Sequence, residues 1–158
     1  FVGLRGLDRP DLVALLETYR EAWREAGHAG NGDVYLRIPI YVGKTQETAY
    51  AEAEESTMRS YRRMAQNFAL SASNAGAVAS EDRAARGVAL AAITYEDLIR
   101  DRLAYGSPDS VISQLKEITA ELGLSGIVAE TNVGGLIPRE QVAASIDLFC
   151  KEVVPGLR

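Results

Sequence analysis

The sequence is poor in the residues that most often build metal and redox centres. It holds one cysteine, Cys150, and one histidine, His28. A single cysteine excludes a disulfide within the chain, and one Cys with one His cannot assemble a zinc-type ligand set. Cys150 follows Phe149 in a helical pattern, where packing is its expected role. No apolar run approaches the ~18 residues of a membrane span, and the N-terminus carries no signal-peptide pattern. Basic residues are outnumbered, 17 Lys and Arg against 22 Asp and Glu, for a net charge of −5. That balance argues against nucleic acid and anionic membranes as partners. There is no G-x-G-x-x-G, no nucleophile–His–acid set and no paired-carboxylate motif. With 47% hydrophobic and 25% charged residues, the composition is that of an ordinary globular protein, expected to be cytoplasmic and metal-free.

The last third is the most regular. A short strand is expected to end at Tyr105-Gly106. Ser107 then serves as helix N-cap, Pro108 as first helical residue and Asp109 as a first-turn acid suited to the dipole. Ile112, Leu115, Ile118 and Leu122 form a helical seam, and Gly123 is the expected stop. A short buried strand, 126–129, follows, then the turn-rich ETNVGG. A final helix buries Val142, Ile146, Phe149 and Val153 and ends at Pro155-Gly156. Strand, helix, strand, helix with short links implies parallel strands and helical crossovers.

Earlier, residues 1–7 make an irregular start. A helix opens at Asp8 or Pro10-Asp11, buries Leu12, Leu15 or Leu16, Tyr19 and Trp23, and stops at Gly27-His28-Ala29-Gly30. His28 there reads as a solvated residue against the helix dipole. Residues 34–42 alternate, with Val34, Leu36, Ile38, Ile40 and Val42 on one face and Tyr35, Arg37, Pro39 and Tyr41 on the other. Pro39 has no N–H for a ladder, which argues for an irregular or edge strand. Thr45 caps the next helix, which runs to about Leu70 with Tyr50, Ala53, Met58, Tyr61, Met64, Ala65 and Phe68 inward. Gly43-Lys44-Thr45 is not a phosphate-binding P-loop, because Ile38 stands where that motif needs its first glycine. Arg59, Arg62 and Arg63 read as a solvated face, with a flavin phosphate or anionic substrate as the alternative they could serve. Residues 71–87, rich in Ala, Ser and Gly, read as a mobile loop or lid. Residues 88–103 read as one helix with Ile93, Leu98 and Leu103 inward.

The order GSP, helix, ELGLSGIVAET, GG, REQVAASIDLFCKEVVPGLR over 104–158 resembles the C-terminal end of the luciferase-like, flavin-dependent monooxygenases. YREAWREAG, and the strand followed by GKTQETAYAEA within residues 8–56, resemble the family's approach to its sixth strand and the helix after it. The resemblance implies a (β/α)₈ barrel using reduced FMN or, in some branches, a deazaflavin. A whole barrel needs about 250 residues. This chain has 158 and starts at Phe1, so the expectation is the C-terminal portion of a TIM barrel, about strands six to eight, as a single partial domain. Such a piece is expected to be inactive alone and to pair with the missing N-terminal half or with itself. The resemblance also implies that 71–87 covers the active site, and that most flavin-binding groups precede Phe1.

Working residues of a barrel lie at the C-terminal ends of strands. That rule selects Gly43-Lys44-Thr45, Tyr105-Gly106-Ser107 and Glu130-Thr131-Asn132. Glu130, directly after the apolar Ile127-Val128-Ala129, demands a partner for its charge. Arg37 on the inward face can supply one, or can bind substrate or flavin. Glu130, Asn132, Arg37 and Tyr105 are therefore the candidate substrate-pocket residues. Catalytic and flavin-binding residues are not identifiable. The alternatives are a deazaflavin-dependent reductase of the same superfamily, or a non-enzymatic α/β interaction domain.

Overall fold

The computed structural model describes residues 2–3, 9–73 and 77–158, and one strand organises them. β2 (Tyr35–Val42) carries every other strand on its two edges, all parallel. β1 (Val2–Gly3) pairs with Tyr35-Leu36, and β3 (Ala104–Gly106) pairs with Ile40–Val42. β4 (Gly126–Thr131) runs along Tyr35–Ile40. Tyr35, Leu36 and Ile40 each have two strand partners, so β4 holds one edge and β1 and β3 share the other. Pro39 faces the gap between β1 and β3, where no ladder bond is asked of it. This is why proline is tolerated in a central, regular strand.

Three successive strands of a barrel would lie in sequence order, with β3 between β2 and β4. Here β4 crosses over to the far edge of β2. β3 is too short to template it, and the carbonyl of Tyr105 on its outer side already accepts from Gln114 Nε2 at 3.2 Å. β2 offers β4 a six-residue run instead. Opposite directions of crossover with one handedness put the connecting helices on opposite faces, and both faces are indeed covered.

One face joins Val34, Leu36, Ile38, Ile40 and Val42 to Leu12 and Leu16 of α1 (Arg9–Glu25). The same cluster takes in Val111, Leu115, Ile118 and Leu122 of α5 (Pro108–Leu122), with Val153. The other face, carrying Tyr41 and Tyr105, packs on α2 (Gln46–Ala72), α3 (Ala77–Ala92) and α4 (Tyr95–Asp101). The face expected to fill a barrel interior is thus closed by helices around Tyr41, and open to solvent only at Tyr35 and Arg37.

Local signals explain the boundaries. Thr45 Oγ1 caps α2 by accepting from Thr48 N, and Ser107 Oγ caps α5. Gly123 ends α5 at φ 57°. Within 71–87, Ser71-Ala72 close α2 and 77–87 are helical, while 74–76 lie outside the described residues. Alanine, weak as a core signal, has the highest helix propensity. Gly87 lets α3 approach the backbone of Ala65 and Ala69. The expected single helix over 88–103 is broken at Thr94, whose hydroxyl and Asp97 form a capping box opening α4.

The C-terminal helix also differs. α6 (Arg139–Leu148) passes through a π-helical turn, Phe149–Val153, into α7 (Val154–Gly156), so Pro155 sits inside the last turn. The wider turn absorbs a residue with no N–H to donate. Ile146, expected inward, is exposed, and Ser145 is buried in its place. β4 is an edge strand with Val128 and Ala129 exposed, not the buried strand expected. The start of α1 at Asp8, and residues 1 and 4–7, lie outside the described residues.

Candidate functional site

Parallel strands deliver their carboxyl ends to one side, and in open α/β sheets ligands bind there, where the direction of crossover reverses. In this chain a cleft of about 400 Å³ lies at the carboxyl end of β2, lined by Tyr41, Lys44 and Glu52 with Gln141, Ser145 and Asp147 of α6. β4 stops opposite Ile40, which leaves the N–H of Val42 without a strand partner on that side. Ser145 Oγ accepts it at 2.7 Å, anchoring α6 against the end of β2. On the opposite side Gly43 N donates to Gly106 O at 3.0 Å.

Tyr41 sits in the floor, donating its phenol to Glu52 Oε2 at 2.7 Å. Burial, reinforced by the Glu52 carboxylate, pushes the Tyr41 hydroxyl well above its ordinary pKa, so it is a proton donor held neutral. The carboxylate of Asp147 is held by Lys151, 2.8 Å away. The cleft thus presents one cation, Lys44, beside two carboxylates and the amide of Gln141. It can orient a small polar molecule. It holds no nucleophile with an adjacent base.

The four residues selected from the sequence fall in three places. Arg37 and Glu130 come together on the sheet face, Nε to Oε2 at 3.6 Å, with side chains 43% and 28% exposed. Register explains the meeting, because Pro39 pairs with Glu130 and places Arg37 one diagonal away on the same face. Tyr105 is only 2% exposed. Its hydroxyl shares a 3.0 Å hydrogen bond with Thr57 Oγ1, and its ring meets Tyr41 edge-on at 6.1 Å. It is a core residue here.

Asn132 turns the chain. It adopts φ 56°, which asparagine tolerates better than most residues, and its Oδ1 accepts from Ile137 N at 3.2 Å. The following glycines are strapped to α2 through Ser56, whose Oγ donates to Val133 O and accepts from Leu136 N. At Gly134, φ is 86° and a Cβ would overlap the Ser56 carbonyl. His28 is exposed and stacks on Trp23 at a ring distance of 4.5 Å, and Arg59, Arg62 and Arg63 are exposed on α2.

The sequence did not point to Glu52, Gln141, Ser145 or Lys44 as neighbours. Lys44 was legible at a strand end. Ser145 carried no signal, because its role depends on where β4 stops.

The family model for luciferase-like monooxygenases matches residues 1–126. The chain belongs to that family. The match takes in the motif-poor middle of the sequence and ends at the first residue of β4. No curated protein matches the chain. Solved structures do. The monooxygenase RslO1 from Streptomyces bottropensis is 19% identical with a TM-score of 0.64, over 99% of this chain and 41% of its own. The oxygenating constituent of 3,6-diketocamphane monooxygenase from Pseudomonas putida, solved with FMN, is 20% identical with a TM-score of 0.61, over 93% and 40%. The coenzyme F420-dependent tetrahydromethanopterin reductase from Methanopyrus kandleri is 18% identical with a TM-score of 0.52, over 94% and 42%. At these identities the likeness is one of fold. This luciferase-like chain spans about 40% of the length of the structures it matches.

Its described residues do not by themselves fit a flavin mononucleotide. A phosphate dianion needs convergent cations or backbone N–H groups, whereas the cleft at the β2 end sets Lys44 against Glu52 and Asp147. The Arg37 guanidinium is already engaged by Glu130 on an open sheet face.

Proposed function

We propose that this chain is the part of a luciferase-like barrel carrying about strands six to eight. The parent enzyme oxygenates a small organic substrate with reduced FMN and O₂, and the chain alone is inactive. Its family membership over residues 1–126 carries this reading. The 40–42% coverage of the structural relatives supports the fragment, as does a site with too few cations for a flavin phosphate. In that setting Arg37 and Glu130 belong to the substrate side of the pocket, and 71–87 to its cover. The cofactor supplies the oxygen chemistry when bound, while the protein's part is positioning and exclusion of water.

A deazaflavin-dependent reductase is the second reading, favoured by the likeness to the coenzyme F420-dependent enzyme. The third is a non-enzymatic α/β interaction domain, favoured by the edge of β4 that has no strand partner among the described residues. The test is equilibrium dialysis of the purified chain against FMN, with an absorbance scan of the protein as isolated. No retained flavin and no oxygenase activity are expected. Stoichiometric flavin binding by the 158-residue chain would sink the fragment reading and make Arg37, Glu130 and 71–87 the site to mutate.

A further inference from the structure

The sheet face over α2 is built from phenols. The chain has seven tyrosines and three phenylalanines. Tyr41, Tyr61, Tyr95 and Tyr105 are buried in the core cluster on that face, with Tyr50 packed against it. Phenylalanine would fill the same volume without a hydroxyl to satisfy, so the polar ends call for a reason beyond packing. What differs among them is the acceptor. Tyr105 shares its hydrogen bond with Thr57 Oγ1 at 3.0 Å, and Tyr95 donates to the Tyr50 carbonyl at 2.9 Å. Neither a hydroxyl nor a peptide oxygen can keep a proton near neutral pH. Tyr41 donates to the Glu52 carboxylate at 2.7 Å, which can.

That difference matters for oxidation. Losing an electron turns a phenol into a strong acid, so the loss is easy where a base already holds the hydrogen bond. Burial and Glu52 keep the Tyr41 phenol neutral at rest, so its proton must leave with the electron. Glu52 lies within the reach such a transfer needs. It is half-buried, and can hand the proton on to water. The Tyr41 ring is 2% exposed. β2–β3 register pairs it with Tyr105, whose ring meets it edge-on at 6.1 Å and shields it. Its other contact is the cleft that it lines with Lys44, Glu52 and Gln141.

We propose that Tyr41 is a one-electron redox site serving the cleft at the end of β2. Its O–H bond breaks and the proton moves to Glu52 Oε2. The electron goes to a one-electron oxidant in the cleft, an excited-state flavin or an oxidised metal complex, which is reduced by one electron. A neutral tyrosyl radical remains on Tyr41. A thiolate from solution restores it by giving one electron and becoming a thiyl radical, as Glu52 returns the proton. The pair thus drains stray oxidising equivalents from the cleft. Both groups belong to this chain, so the inference is independent of the monooxygenase reading.

Flash oxidation of the intact chain with photogenerated tris(bipyridine)ruthenium(III), a cation that the net charge of −5 attracts, tests it. Transient absorbance should show a neutral tyrosyl radical that forms more slowly in heavy water. Tyr41→Phe keeps the ring and should lose that phase, leaving slower oxidation at the exposed Tyr35. Glu52→Gln leaves the phenol an acceptor but no base, and radical formation should slow by about tenfold or more. Tyr105→Phe removes a phenol that has no such base and should leave the rate unaltered. Circular dichroism checks the fold of each variant, and the half-buried Glu52 keeps the test open if Tyr41→Phe does not fold. A radical that forms equally fast in Tyr41→Phe or in Glu52→Gln would overturn the proposal. So would a wild-type chain oxidised solely at Tyr35 or Trp23, or a rate that falls in Tyr105→Phe alone.

Discussion

β3 and β4 flank the same strand and are built oppositely. β3 has three residues, all buried, with its outer carbonyl satisfied by Gln114 and its tyrosine locked to Thr57. β4 has six residues, pairs over its whole length, and is half open. The shorter strand is the better protected because α2 and α4 close over it with Tyr61, Tyr95 and Leu98. Length of pairing and depth of burial are separate properties. Tyr105 on the first strand is core, and Glu130 on the second keeps part of its side chain exposed.

The contrast predicts unequal tolerance. Leu98→Ala, at 0% exposure beneath β3, should cost about 2–5 kcal/mol in denaturant unfolding, while Val128→Ala on β4 should change the monomer by less than about 1 kcal/mol. Equal losses would erase the distinction. Ser145→Ala sharpens it at the point where β4 runs out. The buried Val42 N–H would lose its acceptor, at about 1–3 kcal/mol, and amide exchange at Val42 should accelerate. An unchanged exchange rate would show that another group anchors α6.

The smallest effect lies farthest from both strands. The Asp97 carboxyl is pulled from its ordinary 3.8 to about 2, chiefly by the Thr94 hydroxyl, then by the Thr94 N–H and Arg100. A depressed folded value means the capping box contributes fully above about pH 4 and is lost as pH falls through about 2. Asp97→Asn should flatten that part of the acid unfolding curve, lowering stability modestly near pH 7 and leaving it unchanged below about pH 2. The group is exposed, so only the pH dependence is diagnostic.

Much of this architecture was legible in the sequence. The seam Leu115, Ile118, Leu122, the Ser107 and Thr45 caps and the Gly123 stop are local, and local signals survive any tertiary arrangement. Tyr61, Ala53 and Ala65 are buried as their spacing implies. The strand order was not legible, because period-2 alternation in β2 says which residues share a face and nothing about which neighbour takes which edge. The same gap hid the cleft. Ser145 becomes a neighbour of Val42 only after β4 crosses β2, whereas Glu52 reaches Tyr41 from the helix that directly follows β2. Helicity over 77–87 was missed because an Ala-rich segment has strong propensity and little apolar period. The Arg37–Glu130 meeting was foreseeable, since two opposite charges on inward-facing strand positions need each other.

The crossover also governs when the molecule can form. Val34 and Ser125, hydrogen-bonded at the head of the β2–β4 ladder, are 91 positions apart, and Val42 reaches Ser145 across 103. Closing loops of that size comes before any reward from the ladder, and such non-local pairing places a fold on the slower side of folding rates. On the ribosome, β2 emerges long before its main partner and waits with one edge bare until the last quarter of the chain is made. The α2–α3 hairpin, joined by adjacent sequence, has no such delay.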